Sequence, residues 1–507
     1  MLVRSIIGQS VIFVSLFVFA FFRVKLLLLF FQQKEYRNIW FLKFIFNGRR
    51  LVDVKLTVLT ILLYILNPYL ILIGFLLFGL YENSILKKAK KKLVFTKRIK
   101  RIYLVSFILI ALFINLVKVD FILFSAILTI QILPFILILS NIILYPYETL
   151  TQEKFLEQAK NKLKKINPIV IGITGSMGKT STKYILSHIL SGNLSVMFTP
   201  GSVNTKMGIS SFINNKLEDN CKYFIVEMGA YFRGSIETLC DFVKPKYGII
   251  TAISDSHYEY FKTKENIISA KFELGESINK NNGILLINQN QIEKELIPQN
   301  IKYKTIGLIE NIEQNKDGLY FKYNGNDVFA PIYGAHQAEN IAICIEMASQ
   351  IGIPMSSILA TLKTLPQIEH RLQVIKRDNN ITIIDNSYNS NFTGFKNGLD
   401  LLQVLHNEGG RKILITPGMV ELGDIHKEQH YKIGEIAAQK VDIVILVNSE
   451  RIPSFIEGFK ETNKNAELIE FNTFSESQKW MVDNIRNNDV VLLENDLPDI
   501  YESKIKL

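Results

Sequence analysis

The chain has 507 residues and a net charge of +11. This length suits two or three domains, each with its own core, and argues against a single domain. Residues 1–150 carry 19 basic and five acidic side chains, while the remainder has a net charge of −3. Because the positive charge flanks apolar runs, it indicates contact with a membrane surface and argues against nucleic-acid binding.

Four stretches of the first 150 residues are apolar and long enough to approach the roughly 20 residues of helix that cross a bilayer. They are residues 5–22, 57–80, 102–117 and 121–145. The basic run 87–101 predicts a cytoplasmic loop, so the chain would return to the cytoplasm after Tyr145. The 23–56 loop is also basic, and Asn67-Pro68 can break or kink the second stretch. We therefore expect a multi-pass transmembrane region over 1–150, with three or four helices in the cytoplasmic membrane.

The rest of the chain alternates short apolar runs with helical patterns, which is typical of parallel strands in α/β layers. A polar helix is expected over 151–165, and Gly334 falls near a break between two sets of strands. The expected domains are therefore 151–333 and 334–507, both facing the cytoplasm. Three cysteines without a CxxC pair predict buried free thiols and no disulfide framework or structural zinc.

The strongest local signal is the run 169–183, in which the strand IVIGIT leads into TGSMGKTSTK and a helix. Gly175 and Gly178 allow a tight turn whose N–H groups face an anion, as at the phosphates of ATP. Lys179 would then lie against the β- and γ-phosphates, and the Thr180 hydroxyl would bind magnesium. The predicted nucleotide contacts here are Thr174, Gly175, Ser176, Met177, Gly178, Lys179, Thr180 and Ser181. The spacing GxxGKT departs from the usual GxxxxGK[ST], so a purely structural turn is the alternative.

The motifs that follow in order resemble the Mur ligase family, closest to its D-alanyl-D-alanine-adding (MurF-like) branch. The resemblance covers Pro168 to Val447 and rests on TGSMGKTST, GSVNTKMGIS, VEMGA, ITAISDSHYEYF with AKFEL, GAHQAEN, RLQVI, IDNSYNSN and GMVELG. It implies a P-loop ATPase central domain and a Rossmann-like C-terminal α/β domain behind the transmembrane helices.

The resemblance also implies a metal and catalytic set. Glu227 would hold one magnesium ion beside Thr180, and His257 would hold a second. Lys271 matches a lysine that becomes carbamoylated in much of the family, and as a carbamate it would share that second ion with His257. The implied catalytic residues are Lys179, His257 and Lys271. The alternatives are a solvated strand-end acid, a surface histidine and an unmodified helix lysine.

Further residues are implied to contact ATP. His336 and Asn340 lie four residues apart, on one face of a helix. Arg371 would reach phosphate across the gap between domains, where its fork of donors suits an anion. Asp385 would accept from ribose hydroxyls, with Tyr388 and Asn389 shaping the pocket beside it. A helix cap, a satisfied amide and a surface arginine are the structural alternatives.

The sequence departs from the branch in three places. Asn386 stands where the branch shows a second acid, and Phe392 where it shows proline. The branch's C-terminal lysine, glycine and serine cluster is replaced by VVLLENDLPDIY from Val490, which contributes Asp496 and Asp499. Apolar helices stand in place of the UDP-binding domain, so the acceptor is either lipid-linked or recognised by other surfaces.

These observations predict an ATP-dependent ligase with two magnesium ions. It would join the carboxylate of a cell-wall precursor, or another carboxylate, to an amino acid or dipeptide amine through an acyl phosphate. Two alternatives stay open: an amino-acid polymerising ligase similar to poly-γ-glutamate or folyl-polyglutamate synthetases, and a nucleotide-binding membrane scaffold without catalysis.

Overall fold

The structure is a computed structural model. It describes residues 2–47, 54–67, 69–88, 92–116, 122–230, 232–253, 261, 263–388, 391–420, 422–463 and 466–495. The described part forms two compact units: the first ends at Glu153 and the second begins at Lys154.

The first unit is helical. Its helices are α1 (Leu2–Gln33), α2 (Asn38–Asn47), α3 (Val54–Leu66), α4 (Leu70–Lys88), α5 (Lys97–Leu116) and α6 (Ile122–Ile166), the last of which continues into the second unit. By length and composition, three segments among the described residues could cross a membrane: Val14–Gln33, Leu70–Lys87 and Ala126–Ile166.

One of the expected membrane segments needs correction. The stretch 57–80 is not one helix, because α3 ends at Leu66 and α4 begins at Leu70, on either side of Asn67-Pro68. A proline inside a helix would lack the N–H for a helical hydrogen bond and would clash with the preceding turn, which is consistent with the end of α3 at Leu66. The stretch 102–117 overlaps α5, which is not among the three candidate spans of the described residues. Helix α5 begins with KRIKR and its described apolar part is 102–116, so the crossing expected here stays a prediction.

The interior of the first unit contains paired polar groups as well as apolar side chains. Arg23 on α1 and Glu82 on α4 form an ion pair at 2.5 Å, and both side chains are almost fully buried. Arg101 on α5 binds the Glu148 carboxylate of α6 through two nitrogens, at 2.7 and 2.9 Å. Such pairs cost desolvation energy, and removing one partner of a buried pair leaves the other charge uncompensated, which is strongly destabilising.

The second unit opens with a six-stranded parallel sheet in the order β2-β3-β1-β4-β5-β6. Its strands are β1 (Ile169–Thr174), β2 (Val196–Phe198), β3 (Tyr223–Glu227), β4 (Tyr247–Ile250), β5 (Ile284–Ile287) and β6 (Lys304–Thr305). The connecting helices are α7 (Lys179–Ser191), α8 (Lys206–Asn215), α9 (Ser235–Val243) and α10 (Lys264–Lys280). Apolar side chains on both faces of β1, β3 and β4 are buried, as expected for strands covered on two sides.

A small antiparallel sheet and two helices complete this domain. They are β7 (Ile309–Gln314), β8 (Leu319–Tyr323), β9 (Asn326–Ala330), α11 (Gln337–Ile351) and α12 (Met355–Leu362). Ile341 on α11 and Ile358 on α12 share one buried cluster with Ile185 of α7 and Ile171 of β1. Helices α11 and α12 therefore pack with the first sheet of this unit, and the domain boundary expected near Gly334 stays a prediction.

The second sheet has the order β10-β11-β15-β12-β13-β14 and is parallel except for β10. Its strands are β10 (Gln373–Lys376), β11 (Thr382–Asn386), β12 (Lys412–Thr416), β13 (Ile443–Val447), β14 (Glu467–Phe471) and β15 (Val490–Glu494). Its helices are α13 (Phe392–Val404), α14 (His426–Lys440), α15 (Pro453–Thr462) and α16 (Phe474–Asn484). The last strand, β15, lies between β11 and β12. The strand order therefore changes direction here, and α/β sheets bind ligands at the carboxyl ends of the strands at such a point.

The predicted cysteine state is confirmed. Cys221, Cys240 and Cys344 are all buried and free. Burial raises the pKa of the Cys240 thiol to about 12, so it behaves as a small apolar side chain.

Candidate nucleotide and magnesium site

The phosphate loop, defined here as Gly175–Gly178, joins β1 to the N-terminus of α7. Gly175 and Gly178 have φ values of +151° and +80°. A Cβ atom at Gly175 would lie 2.1 Å from the Thr251 hydroxyl oxygen, and one at Gly178 would lie 2.6 Å from an Asn340 side-chain oxygen. Glycine is therefore required at both positions, and the free N–H groups of the first turn of α7 create a site for an anion.

Lys179 is the first residue of α7. Its Nζ donates to the carbonyl oxygens of Gly175, at 2.8 Å, and Ser176, at 3.2 Å, so the lysine folds over the phosphate loop. Burial lowers the pKa of Lys179 to about 8, with nearby Arg371 acting in the same direction and Glu227 opposing it. A phosphate group would favour the charged lysine, so the loop and this cation together suit a nucleotide.

Glu227 ends β3 beside the phosphate loop and is 1% exposed, which excludes the solvated strand-end alternative. Its Oε2 accepts from Thr180 Oγ1 and from Lys183 Nζ, each at 2.9 Å, and its Oε1 accepts from Asn204 Nδ2 at 3.1 Å. Burial alone would raise the pKa of Glu227, but the cations Lys183 and Lys179 hold this pKa below its usual value. The site therefore presents a carboxylate and a hydroxyl side by side.

Sequence reasoning missed Lys183. Its side chain is fully buried, and besides Glu227 it donates to the Gly201 carbonyl oxygen. It lies four residues after Lys179, on the same face of α7, and this spacing was a signal that could have identified it. Lys183 supplies the counter-charge that allows Glu227 to remain ionised in a buried position.

Lys271 is on α10, 2% exposed, with its Nζ 5.9 Å from the centre of the Phe261 ring. It does not line the cavity described below. Burial, reinforced by the charge of Lys179, lowers the pKa of Lys271 well below its usual value. The lysine is therefore a buried amine near the phosphate loop. Its predicted metal partner, His257, lies outside the described residues.

His336 and Asn340, at the start of α11, line the same cavity as the phosphate loop. The His336 Nδ1 accepts from Asn397 Nδ2 at 2.8 Å. Burial, together with the charge of Arg371, lowers the pKa of His336 to about 4, so the ring is neutral near pH 7. Asn340 donates to Gln337 Oε1 at 2.8 Å and accepts from Thr182.

Arg371 precedes β10 and lines the cavity, with its guanidinium carbon 4.5 Å from the centre of the Tyr388 ring. Among the described residues it is, after Lys179, the second basic side chain other than histidine that lines the cavity. Asp385, by contrast, is not among the residues that line the cavity. Its oxygens accept from Ser387 and lie 2.8 Å from His370 Nδ1, so its contact with a ribose stays a prediction. Asn389 lies outside the described residues.

The cavity has a volume of about 410 Å³ and is lined by both α/β domains of the second unit. Its first wall holds Lys179, Thr180 and Glu227, and its second holds Tyr388, Asn391 and Leu422. The described residues contain no group of three or more His, Cys, Asp or Glu side chains that could hold a metal ion. Magnesium is commonly bound by one or two protein oxygens together with substrate phosphates, so Thr180 and Glu227 fit this ion.

Two family models match the chain. Residues 173–348 match the Mur ligase middle domain, and residues 370–494 match the Mur ligase glutamate ligase domain. Together they cover more than half of the chain and both α/β domains. The region before residue 173 lies outside both matches.

Curated relatives and solved structures agree with these matches. A UDP-N-acetylmuramoyl-tripeptide–D-alanyl-D-alanine ligase of Bacillus subtilis is 28% identical over 369 residues, which are 68% of this chain and 79% of the relative. The Buchnera aphidicola enzyme of the same name is 31% identical over 53% of this chain and 60% of its own length. The fold is similar to MurF from Acinetobacter baumannii, with a TM-score of 0.60 and 22% identity over 69% of this chain and 78% of that one. The fold is also similar to MurF ligase from Thermotoga maritima, solved in complex with ADP. The TM-score is 0.58, and the sequence identity is 24% over 68% of this chain and 80% of that one.

Proposed function

The chain belongs to the Mur ligase family of ATP-dependent peptide ligases, and from this we propose that it joins a peptide carboxylate to the amine of D-alanyl-D-alanine in peptidoglycan synthesis. The observation that carries the proposal is the group of Lys179, Thr180 and Glu227 beside the phosphate loop, in which Thr180 and Glu227 are buried. The names of the relatives supply the substrates: a UDP-N-acetylmuramoyl tripeptide and D-alanyl-D-alanine.

The proposed reaction begins with transfer of the γ-phosphoryl group of ATP to the substrate carboxylate. The phosphate loop binds the phosphates through its N–H groups, and Lys179 neutralises charge that develops on the transferred group. Arg371 contributes a second cation from the other side of the cavity. The amine then attacks the acyl phosphate, the C–N bond forms, and inorganic phosphate leaves. Magnesium, when bound by Thr180 and Glu227, supplies charge neutralisation on the phosphates.

We further propose that Lys271 is carbamoylated and serves a second magnesium ion with His257. The depressed pKa of Lys271 increases the neutral fraction of its amine, which is the form that attacks carbon dioxide to give a carbamate and a released proton. The new carboxylate would convert a buried amine into an oxygen ligand. Carbon-13 NMR of the purified protein with labelled bicarbonate tests this: a carbamate signal is expected, and its presence in Lys271→Ala as well would contradict the assignment.

An ADP-release screen of the full chain in detergent tests the ligase. We expect ADP to form only when ATP, magnesium, the UDP-linked tripeptide and D-alanyl-D-alanine are all present. Release with a lipid-linked tripeptide instead would identify a membrane-bound acceptor. Release with single amino acids would favour a polymerising ligase. Absence of ADP with every pairing, despite measurable nucleotide binding, would favour a scaffold and overturn the proposal.

We also propose that the first unit anchors the enzyme in the cytoplasmic membrane, with the second unit in the cytoplasm, where ATP is available. The support is the three candidate spans and the basic run 87–101. A further crossing by the apolar residues 102–116 of α5 is part of this proposal, because it places the basic run and the second unit on the same side of the membrane. The chain should stay in the membrane pellet after alkaline carbonate washing and be released by detergent. External protease added to spheroplasts should leave residues 154–497 intact. Recovery of the chain in the carbonate supernatant, or loss of those residues to protease, would contradict this placement.

A further inference from the structure

Two positions at which this sequence departs from the branch it resembles meet in the second sheet. Asn386 is the last residue of β11, and Glu494 is the last residue of the neighbouring strand β15. The Asn386 amide nitrogen donates to both carboxylate oxygens of Glu494, at 3.0 and 2.9 Å. Glu494 is fully buried, whereas Asn386 lines the cavity. The two residues are 108 positions apart in the chain, so only the fold brings them together.

The oxygen of the Asn386 amide contacts the segment 370–372, which lies on the connection between the two domains. This oxygen, Oδ1, accepts the backbone N–H of Leu372 at 3.2 Å. His370 and Leu372 have φ values of +60° and +52°, which are uncommon for residues with side chains and cost energy. Such a backbone persists only when its surroundings hold it. The contacts that hold it include Asn386 to Leu372, the Asp385 carboxylate to the His370 ring, and Tyr388 N–H to His370 O. The N–H groups of His370 and Arg371 donate to Gln373 Oε1 and to the Ile368 carbonyl oxygen.

Arg371 lies between these two residues, and its direction depends on them. Its guanidinium packs on the Tyr388 ring and lines the cavity opposite the phosphate loop. We propose that Asn386 is a positioning residue for Arg371: by accepting from Leu372 while donating to Glu494, it fixes the backbone turn that directs the guanidinium into the cavity. This inference rests on the proposed function, in which Arg371 faces the phosphates of the nucleotide.

The pattern of donors explains why an amide and an acid occur together. The Asn386 nitrogen donates to Glu494 while its oxygen accepts from Leu372, and an amide does both without a change of protonation state. An aspartate at 386 could still accept from Leu372, but it would place two carboxylates about 3 Å apart in a buried position, where both cannot ionise without cost. Asn386 and Glu494 therefore act as one unit.

Titration of the full-length protein with ADP and magnesium by calorimetry tests this proposal. Asn386→Asp is expected to weaken ADP binding about tenfold, the order of one lost charge-assisted contact from Arg371. Glu494→Gln keeps an acceptor for Asn386 and should stay within about twofold of the parent. In the double variant Asn386→Asp/Glu494→Gln, donor and acceptor exchange places, so affinity should return to that of Glu494→Gln. Asn380→Asp, an exposed amide preceding β11, is the matched control and should bind as the parent does.

An Arg371→Ala background separates positioning from general damage. If Asn386 acts through Arg371, adding Asn386→Asp to Arg371→Ala should weaken ADP binding no further than Arg371→Ala alone. Should Asn386→Asp fail to fold, the double variant still decides: restored affinity supports the proposal, and a folded double variant that binds as weakly as Arg371→Ala overturns it. Unchanged affinity in Asn386→Asp also overturns it. A parent protein that binds no ADP would instead remove the proposed function.

Discussion

Lys179→Ala should reduce ADP-forming turnover by about 100- to 1000-fold, the loss seen when one preorganised group that stabilises transition-state charge is removed. Lys179 lies folded over the phosphate loop, and no other lysine among the described residues lines the cavity. Lys165→Ala is the matched control, because that side chain is 77% exposed and only weakly paired. Turnover of Lys179→Ala at the parent rate would remove the ligase assignment.

The pKa of Lys179 predicts how nucleotide binding depends on pH. The pKa of Lys179 in the free protein is about 8, and bound phosphates should raise it. Below pH 8 the lysine is charged before and after binding, so affinity should be nearly constant there. Above pH 8 binding must take up a proton, so ADP affinity should fall as pH rises. Calorimetry across this range should show the decline in the parent protein, and the decline should disappear in Lys179→Ala.

Glu227→Gln should lower turnover by at least about 100-fold and raise the magnesium concentration needed for activity, because it removes the only charged ligand beside Thr180 among the described residues. It should also destabilise the fold. Lys183 is fully buried and would lose its counter-charge, a change that costs about 3–5 kcal/mol when a buried pair is broken on one side.

A double variant separates these two effects. Lys183→Met/Glu227→Leu replaces the buried pair with apolar side chains of similar size, so the thermal unfolding temperature should recover relative to Glu227→Gln. Turnover should stay low, because the magnesium ligand is still missing. Recovery of turnover in the double variant, or normal magnesium dependence in Glu227→Gln, would show that Glu227 does not serve the metal.

The parts of the site that depend on local sequence were predictable. The phosphate loop follows from glycines between an apolar strand and a helix, and β1, the loop and α7 confirm that organisation. Resemblance to the family added Glu227, His336, Asn340 and Arg371, all of which line one cavity. The family and fold are confirmed by the two domain matches.

What the sequence did not predict depends on contacts between distant residues. Lys183 is a buried counter-ion only because β3 brings Glu227 next to α7. The hydrogen bonds from Asn386 to Glu494 and from Leu372 to Asn386 join three separate segments of the chain. No periodic pattern in the sequence predicts these contacts. The domain boundary expected near Gly334 stays a prediction, because the apolar faces of α11 and α12 show the same sequence pattern whichever sheet they cover. The carbamate on Lys271 and the membrane placement stay predictions.

Transfer of oxygen-18 tests the proposed chemistry most directly. The carboxylate of the tripeptide substrate would be labelled with oxygen-18 and incubated with ATP, magnesium, D-alanyl-D-alanine and the full-length protein. Attack of the carboxylate on the γ-phosphoryl group predicts ADP and inorganic phosphate that carries one labelled oxygen from the substrate. Unlabelled phosphate with product formed, or label found in AMP, would contradict an acyl phosphate formed in this cavity.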